Sequence, residues 1–162
     1  MSGPYFDVYV LCSERTEALA RQFLDEWASG RISSDADYCI PRFGSHPVHV
    51  FTSPDELIRF LDANPCEEQA MYWQSGRDDE IEHAMLFYSS DGAMIAGLSV
   101  ADWERPRDQV TAVLFRLARS VGARFGYVTV NQPPVLAGQD AFRAECARRE
   151  IAVMHGTPIL IT

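Results

Sequence analysis

From Tyr5 to Cys12 the chain alternates, with Phe6, Val8, Val10 and Cys12 on one side and Tyr5, Asp7 and Tyr9 on the other. Period two is the pattern of a strand with one face against a core, so a half-buried strand is predicted here. Ser13–Thr16 then offers an N-cap. Leu19, Phe23, Leu24 and Trp27 recur at helical spacing until Gly30 stops the helix. Residues 31–47 are polar and irregular and read as a surface loop, and Val48–Thr52 reads as a short strand. Ser53-Pro54-Asp55-Glu56 is the best helix start in the chain. Ser53 can cap, Pro54 suits the first helical position and Glu56 completes a capping box. Leu57, Ile58 and Leu61 face the core, and Asn64-Pro65 ends the helix. Gln69–Gln74 has the look of a further strand.

The most informative stretch is His83–Val100, where two apolar runs flank Ser89-Ser90-Asp91-Gly92. Asp-Gly readily takes the positive φ angles of a two-residue turn, so a β-hairpin is predicted, pairing Tyr88 with Ile95, Phe87 with Ala96 and Leu86 with Gly97. Neither strand alternates cleanly: Met85–Tyr88 and Met94–Ala96 are unbroken apolar runs. Both faces should therefore be covered, which places the hairpin at the centre of a sheet.

Beyond it, Arg105-Pro106 opens a helix whose stripe is Val110, Val113, Leu114, Leu117 and Val121, with Gly122 placed to end it. Tyr127–Val130 is a strand broken by Gln132-Pro133-Pro134. Asp140–Arg149 is an amphipathic helix around Phe142 and Cys146, and Pro158–Thr162 suits an edge strand. Together these elements predict an α/β (α+β) fold: residues 1–162 as one globular domain, with a mixed five- or six-stranded sheet, a central hairpin and about four flanking helices.

Composition narrows the function by exclusion. The absence of any apolar run of bilayer length, and of a positively charged leader, predicts a cytoplasmic protein that does not enter the membrane. Cys12, Cys39, Cys66 and Cys146 are scattered and predicted to be reduced thiols. All 14 basic residues are arginine, which removes chemistry built on a lysine. The net charge of −9 is uneven. Residues 1–104 carry 19 acids and 6 arginines (−13), and residues 105–162 carry 4 acids and 8 arginines (+4). Nucleic acid is thus a poor partner and a basic protein a better one.

The loop Asp35–His49 gathers Asp35, Asp37, Cys39, His46 and His49. H-x-x-H in a loop lacks the shared face that two histidines have on a helix, and neither a metal nor another cofactor is predicted. Cys12 precedes a helix but falls on the apolar side of its strand, and reads as a core thiol. Phosphate-binding glycine loops and a nucleophile elbow are absent from the sequence.

The acidic run 55–82 holds nine acids against Arg59 and Arg77 and has Tyr72-Trp73 inside it, with Trp103-Glu104 just past the hairpin. Acids beside large aromatics suit a protein interface, the aromatics anchoring and the acids steering. The sequence therefore predicts a non-catalytic protein-binding module of immunity-like, toxin-neutralising type. Its partner-binding residues would be Tyr72, Trp73, Asp78, Asp79, Glu80, Glu82 and Trp103. The alternative is a small-molecule-binding domain or enzyme with its site in loops 35–49 and 131–134, which would require a hollow gathering His46, His49 and Asn131.

Overall fold

A computed structural model describes residues 5–42, 44–76, 80–101, 104–149, 152–154 and 157–159. The alternating N-terminal segment is β1 (Phe6–Leu11), followed by α1 (Glu17–Trp27), β2 (Ile32–Ser33), β3 (Tyr38–Ile40), β4 (His49–Phe51) and α2 (Pro54–Ala63). Next come β5 (Gln69–Gln74), β6 (Ile81–Tyr88), β7 (Met94–Val100), α3 (Arg107–Ser120), β8 (Gly126–Val130) and α4 (Gln139–Arg148). The strands β9 (Ala152–Met154) and β10 (Thr157–Ile159) pair with each other. Six strands form the main sheet in the order β2-β5-β6-β7-β1-β8, so the hairpin β6–β7 is central, as its apolar runs predict. The expectation of a mixed sheet is corrected: all its described pairings are antiparallel. β7 and β8 do run the same way, joined by α3, but β1 lies between them and opposes both.

The polar stretch 31–47 also holds more order than its composition suggests. It contains β2 and β3, the latter paired with β4. Short edge strands of this kind carry too few residues to show a period.

One face of the sheet carries Phe6, Val8, Val10, Ala84, Leu86 and Leu98, and α1, α2 and α3 cover it. The stripe predicted for α3 is buried as Val110, Val113, Leu114 and Leu117, each worth about 1.5–3 kcal/mol when fully buried. Gly122 follows the helix with φ +64, which an L side chain rarely adopts. Thr16 caps α1 by accepting from the Leu19 amide at 3.2 Å. Ser53 does not cap α2 with its side chain, so the capping box does not form, although Pro54 begins the helix as predicted.

Arg15 ties α1 to the rest of this layer. Its Nε donates to the Leu61 carbonyl at 3.0 Å and its Nη1 to the Ser89 carbonyl at 2.8 Å. Its Nη2 donates to the carbonyls of Asn64 and Glu67, each at 2.9 Å. The guanidinium also lies 5.0 Å from the centre of the Tyr88 ring.

The opposite face carries Tyr9, Leu11, Ala70, Met85, Phe87, Ile95 and Tyr127, against which α4 packs Phe142 and Cys146. β1 is consequently buried on both sides rather than on one. Cys12 lies in the first core and Cys146 in the second, and burial pushes both thiols up to about 12. All four cysteines are free; Cys39 is half-buried and Cys66 exposed.

The hairpin register differs by one residue from the two-residue turn. Tyr88 pairs with Met94, Phe87 with Ile95 and Leu86 with Ala96. The Ser89 amide donates to the Ala93 carbonyl at 3.1 Å, leaving a three-residue loop with Gly92 at φ +86. A left-handed glycine closing a three-residue loop is the next most common hairpin solution. Asp91 selects it. One of its oxygens accepts from the Ser89 hydroxyl at 2.5 Å and the Ala93 amide at 3.4 Å, and the other accepts from the Gln139 amide of α4 at 2.7 Å. The turn carboxylate thus serves the open N-terminus of α4, where Gly138 at φ +117 has no side chain to offer.

Candidate functional site

Antiparallel register aligns residues from distant parts of the chain into rows across the second face. Ala70, Phe87, Ile95 and Leu11 make one row, and Tyr72, Met85, Gly97, Tyr9 and Tyr127 the next. The third row is polar throughout: Gln74, His83, Ser99, Asp7 and Thr129. α4 packs over the apolar part of this face, its Phe142 ring 5.0 Å from that of Tyr127. The polar end of the face opens into a cleft of about 350 Å³, lined by Asp7, His83 and Ser99 of the third row together with Tyr5, Tyr9, Tyr72 and Phe87 and walled by Asn131–Pro133.

Several local features build this cleft. Gly97 has Tyr9 lying across it: a Cβ there would come within 2.7 Å of the ring carbons. The Tyr9 hydroxyl donates to the Gln132 carbonyl at 2.8 Å, which pins the wall to the sheet. Asn131 turns the chain at φ +49, a conformation its short amide tolerates. It also exchanges hydrogen bonds with Tyr5, its Oδ1 accepting from the Tyr5 amide at 2.8 Å and its own amide donating to the Tyr5 carbonyl at 3.3 Å. Tyr9, Phe87 and Tyr72 meet edge to face at 5.9 and 5.7 Å between ring centres, the preferred geometry for aromatic pairs.

A register shift in β6 supplies one more group. Ile81 pairs with Val100 and His83 with Ser99, so Glu82 is an extra residue. A bulge of this kind re-aims side chains. Glu82 here accepts from the Tyr5 hydroxyl at 2.9 Å, and the Tyr5 ring meets His83 edge-on at 6.0 Å.

Asp7 is the unusual member. It is 6% exposed, and the Ser99 hydroxyl donates to its Oδ1 at 2.7 Å. Burial pushes its carboxyl above the usual range; the Ser99 hydroxyl, the Gln132 amide and the nearby His83 pull it back. Among the described residues no arginine forms an ion pair with it.

The sequence-predicted site residues are dispersed by the fold. Tyr72 lines the cleft and Glu82 borders it. Trp73, one residue from Tyr72 and therefore on the opposite side of β5, is 2% exposed in the first core, so its expected role as a surface anchor is corrected. Glu80 is half-buried and pairs with Arg105 at 2.9 Å and Arg116 at 3.7 Å, which spends its charge inside the molecule. Asp78, Asp79 and Trp103 lie outside the described residues.

The loop histidines do not meet Asn131. His49 packs against Phe51 and Phe60, and His46 shares a 3.1 Å hydrogen bond with Ser45. Among the described residues no three metal-ligating side chains cluster, and no helix is long and apolar enough to cross a membrane. Asp7, Ser99 and His83 were missed as a group because they come from three strands. The available signal was a carboxylate in a strand flanked by aromatic residues, Tyr5-Phe6-Asp7-Val8-Tyr9. A second hollow of about 650 Å³ lies between the loop carrying Arg42, residues 66–70 and Leu136.

No protein family matches the chain, and no curated protein is similar to it. Among solved structures it is similar to the Pseudomonas aeruginosa T6SS protein PA0821, with 10% identity and a TM-score of 0.42. The likeness covers 78% of this chain and 42% of that one, so the chain spans less than half the length of that structure. A likeness this distant assigns no function.

Proposed function

We propose that the chain is a protein-binding module that acts without catalysis in the cytoplasm, and in its sharper form that it neutralises a basic toxin as an immunity protein does. The binding face is the open polar end of the sheet, with Tyr72 as an anchor and Glu82 as a steering charge. The observation that supports this reading is the cleft itself: tyrosine rings, one buried carboxylate and a second acid at its border, on a molecule of net charge −9. Tyrosine offers large contact area with a polar handle, which is why it is enriched at interfaces. Acids at the border of such a face raise the rate of encounter with a basic partner.

The test begins with capture of the partner from source lysate, guided by the neighbouring open reading frame, and continues with kinetics on the purified pair. Tyr72→Ala speeds dissociation, at a cost on the order of 2 kcal/mol if it is a hot spot. Glu82→Gln slows association and flattens its salt dependence. Unchanged rates in both variants place the interface elsewhere.

The cleft's volume and its gathering of Asn131 with Asp7 and His83 favour one second reading, a small-molecule site. It differs from the site expected from loops 35–49 and 131–134 in using only the second of them.

A further inference from the structure

We infer that the cleft receives an arginine side chain of the bound partner, its guanidinium seated on the Asp7 carboxylate among the tyrosine rings; this rests on the reading of the cleft as the binding face. The argument starts from an imbalance. A buried carboxylate is ordinarily paired with a cation. This chain has 14 arginines, yet among the described residues none pairs with Asp7. The Ser99 hydroxyl and the Gln132 amide satisfy about half of the four acceptor positions a carboxylate offers. Asp7 lines a hollow of about 350 Å³, enough for a side chain.

The chemistry of the walls selects the cation. Planar guanidinium stacks on aromatic faces and bonds carboxylates in pairs, whereas ammonium is a compact, strongly hydrated point charge. Tyr72 already shows the compatibility, since the guanidinium of Arg42, which lines the neighbouring hollow, lies 5.9 Å from its ring centre. Glu82 adds a second negative charge near the mouth, held by the Tyr5 hydroxyl. Among the described residues lining the cleft there is no arginine, and Asp7 is the carboxylate among them.

The experiment uses acetyl-arginine amide as the probe and acetyl-citrulline amide, its neutral isostere, as the control. Both are titrated into the full chain while backbone amide shifts are followed by NMR. Saturating shifts at Asp7, His83, Ser99 and Asn131 are expected with the arginine probe. Affinity falls at least tenfold for the citrulline probe, and at least tenfold for the arginine probe in Asp7→Asn. Ser99→Ala, which keeps the carboxylate, retains preference for arginine over citrulline and serves if Asp7→Asn fails to fold. Equal binding of the two probes, or an absence of localised shifts up to the solubility limit, overturns the inference. With the partner in hand, Tyr72→Ala weakening the complex while Asp7→Asn leaves it intact refutes the arginine seat but keeps the binding face. If neither variant affects the complex, the binding face itself is refuted.

Discussion

Replacing Arg15 with methionine keeps most of the aliphatic stem and removes the fork that reaches four carbonyls. The Leu61 carbonyl belongs to the last turn of α2, and those of Asn64 and Glu67 to the segment just after it. These groups have no further helical turn to bond. The Ser89 carbonyl opens the hairpin loop, so a single side chain joins α1, the end of α2 and the β6–β7 turn. A hydrogen bond to a charged group contributes about 1.5–3 kcal/mol net, which for four would sum to about 6–12 kcal/mol if they were independent. They are not independent, because one guanidinium makes all four and the site is only partly buried, so water can take over some of the carbonyls. A cost of about 3–4 kcal/mol is the reasoned expectation, a large part of the 5–15 kcal/mol typical of a domain. Arg15→Lys keeps a charge but cannot span four acceptors from one ammonium, and should recover about half the loss. Urea denaturation measures this directly, as a lowered midpoint at unchanged m. Amide exchange should quicken over 64–67. A shift below about 0.5 kcal/mol for Arg15→Met would refute the claim that this fork holds the layer together, since that is the scatter of ordinary surface substitutions.

Because the folded state raises the Asp7 pKa above its ordinary value of 3.8, stability tied to this group is greatest below that value. It declines as pH rises through the folded pKa. Asp7→Asn should flatten this part of the urea-midpoint profile and raise stability at neutral pH; an unchanged slope would count against the burial argument. Thiol titration of the native protein should find Cys66 fastest and Cys39 slower. Cys12 and Cys146 should react only on unfolding, because buried thiols held near 12 present almost no thiolate at neutral pH. Asp91→Ala should cost about 1–2 kcal/mol, the range of a lost helix cap, and loosen both the turn and the start of α4. Exchange that quickens at the turn alone would show the two are not coupled.

Local pattern carried most of the architecture. The stripe of α3, the period of α1 and the bounds of β5 are all properties of neighbouring residues, and each is found where the pattern places it. What failed had remote causes. The hairpin is out by one residue because Asp91 answers to an amide 48 positions away as well as to its own turn. β1 reads as half-buried because Tyr5, Asp7 and Tyr9 look like a solvent face, yet α4 and the 131–133 wall cover much of it from the far end of the sequence. Trp73 lies in an acidic neighbourhood along the chain but faces inward on a strand, where the surrounding charge does not reach. The cleft was least legible of all. Its polar row exists only once the strands are in register, with Asp7 and Ser99 separated by 92 positions.

The shift in β6 sets fold and function apart at a single position. Ile81 and His83 already have partners in Val100 and Ser99, and Glu82 has none in β7, although its carbonyl accepts from the Ser75 amide at 2.9 Å. A chain lacking Glu82 would keep the regular alternation of its neighbours, with Ile81 still inward and His83 still in the polar row. The β6–β7 pairing is therefore indifferent to this residue, while the Ser75 amide loses a carbonyl, the Tyr5 hydroxyl loses its acceptor and the cleft loses one of its charges. Natural variation by insertion and deletion has here a place to retune the mouth of the cleft while keeping the β6–β7 hairpin in its register.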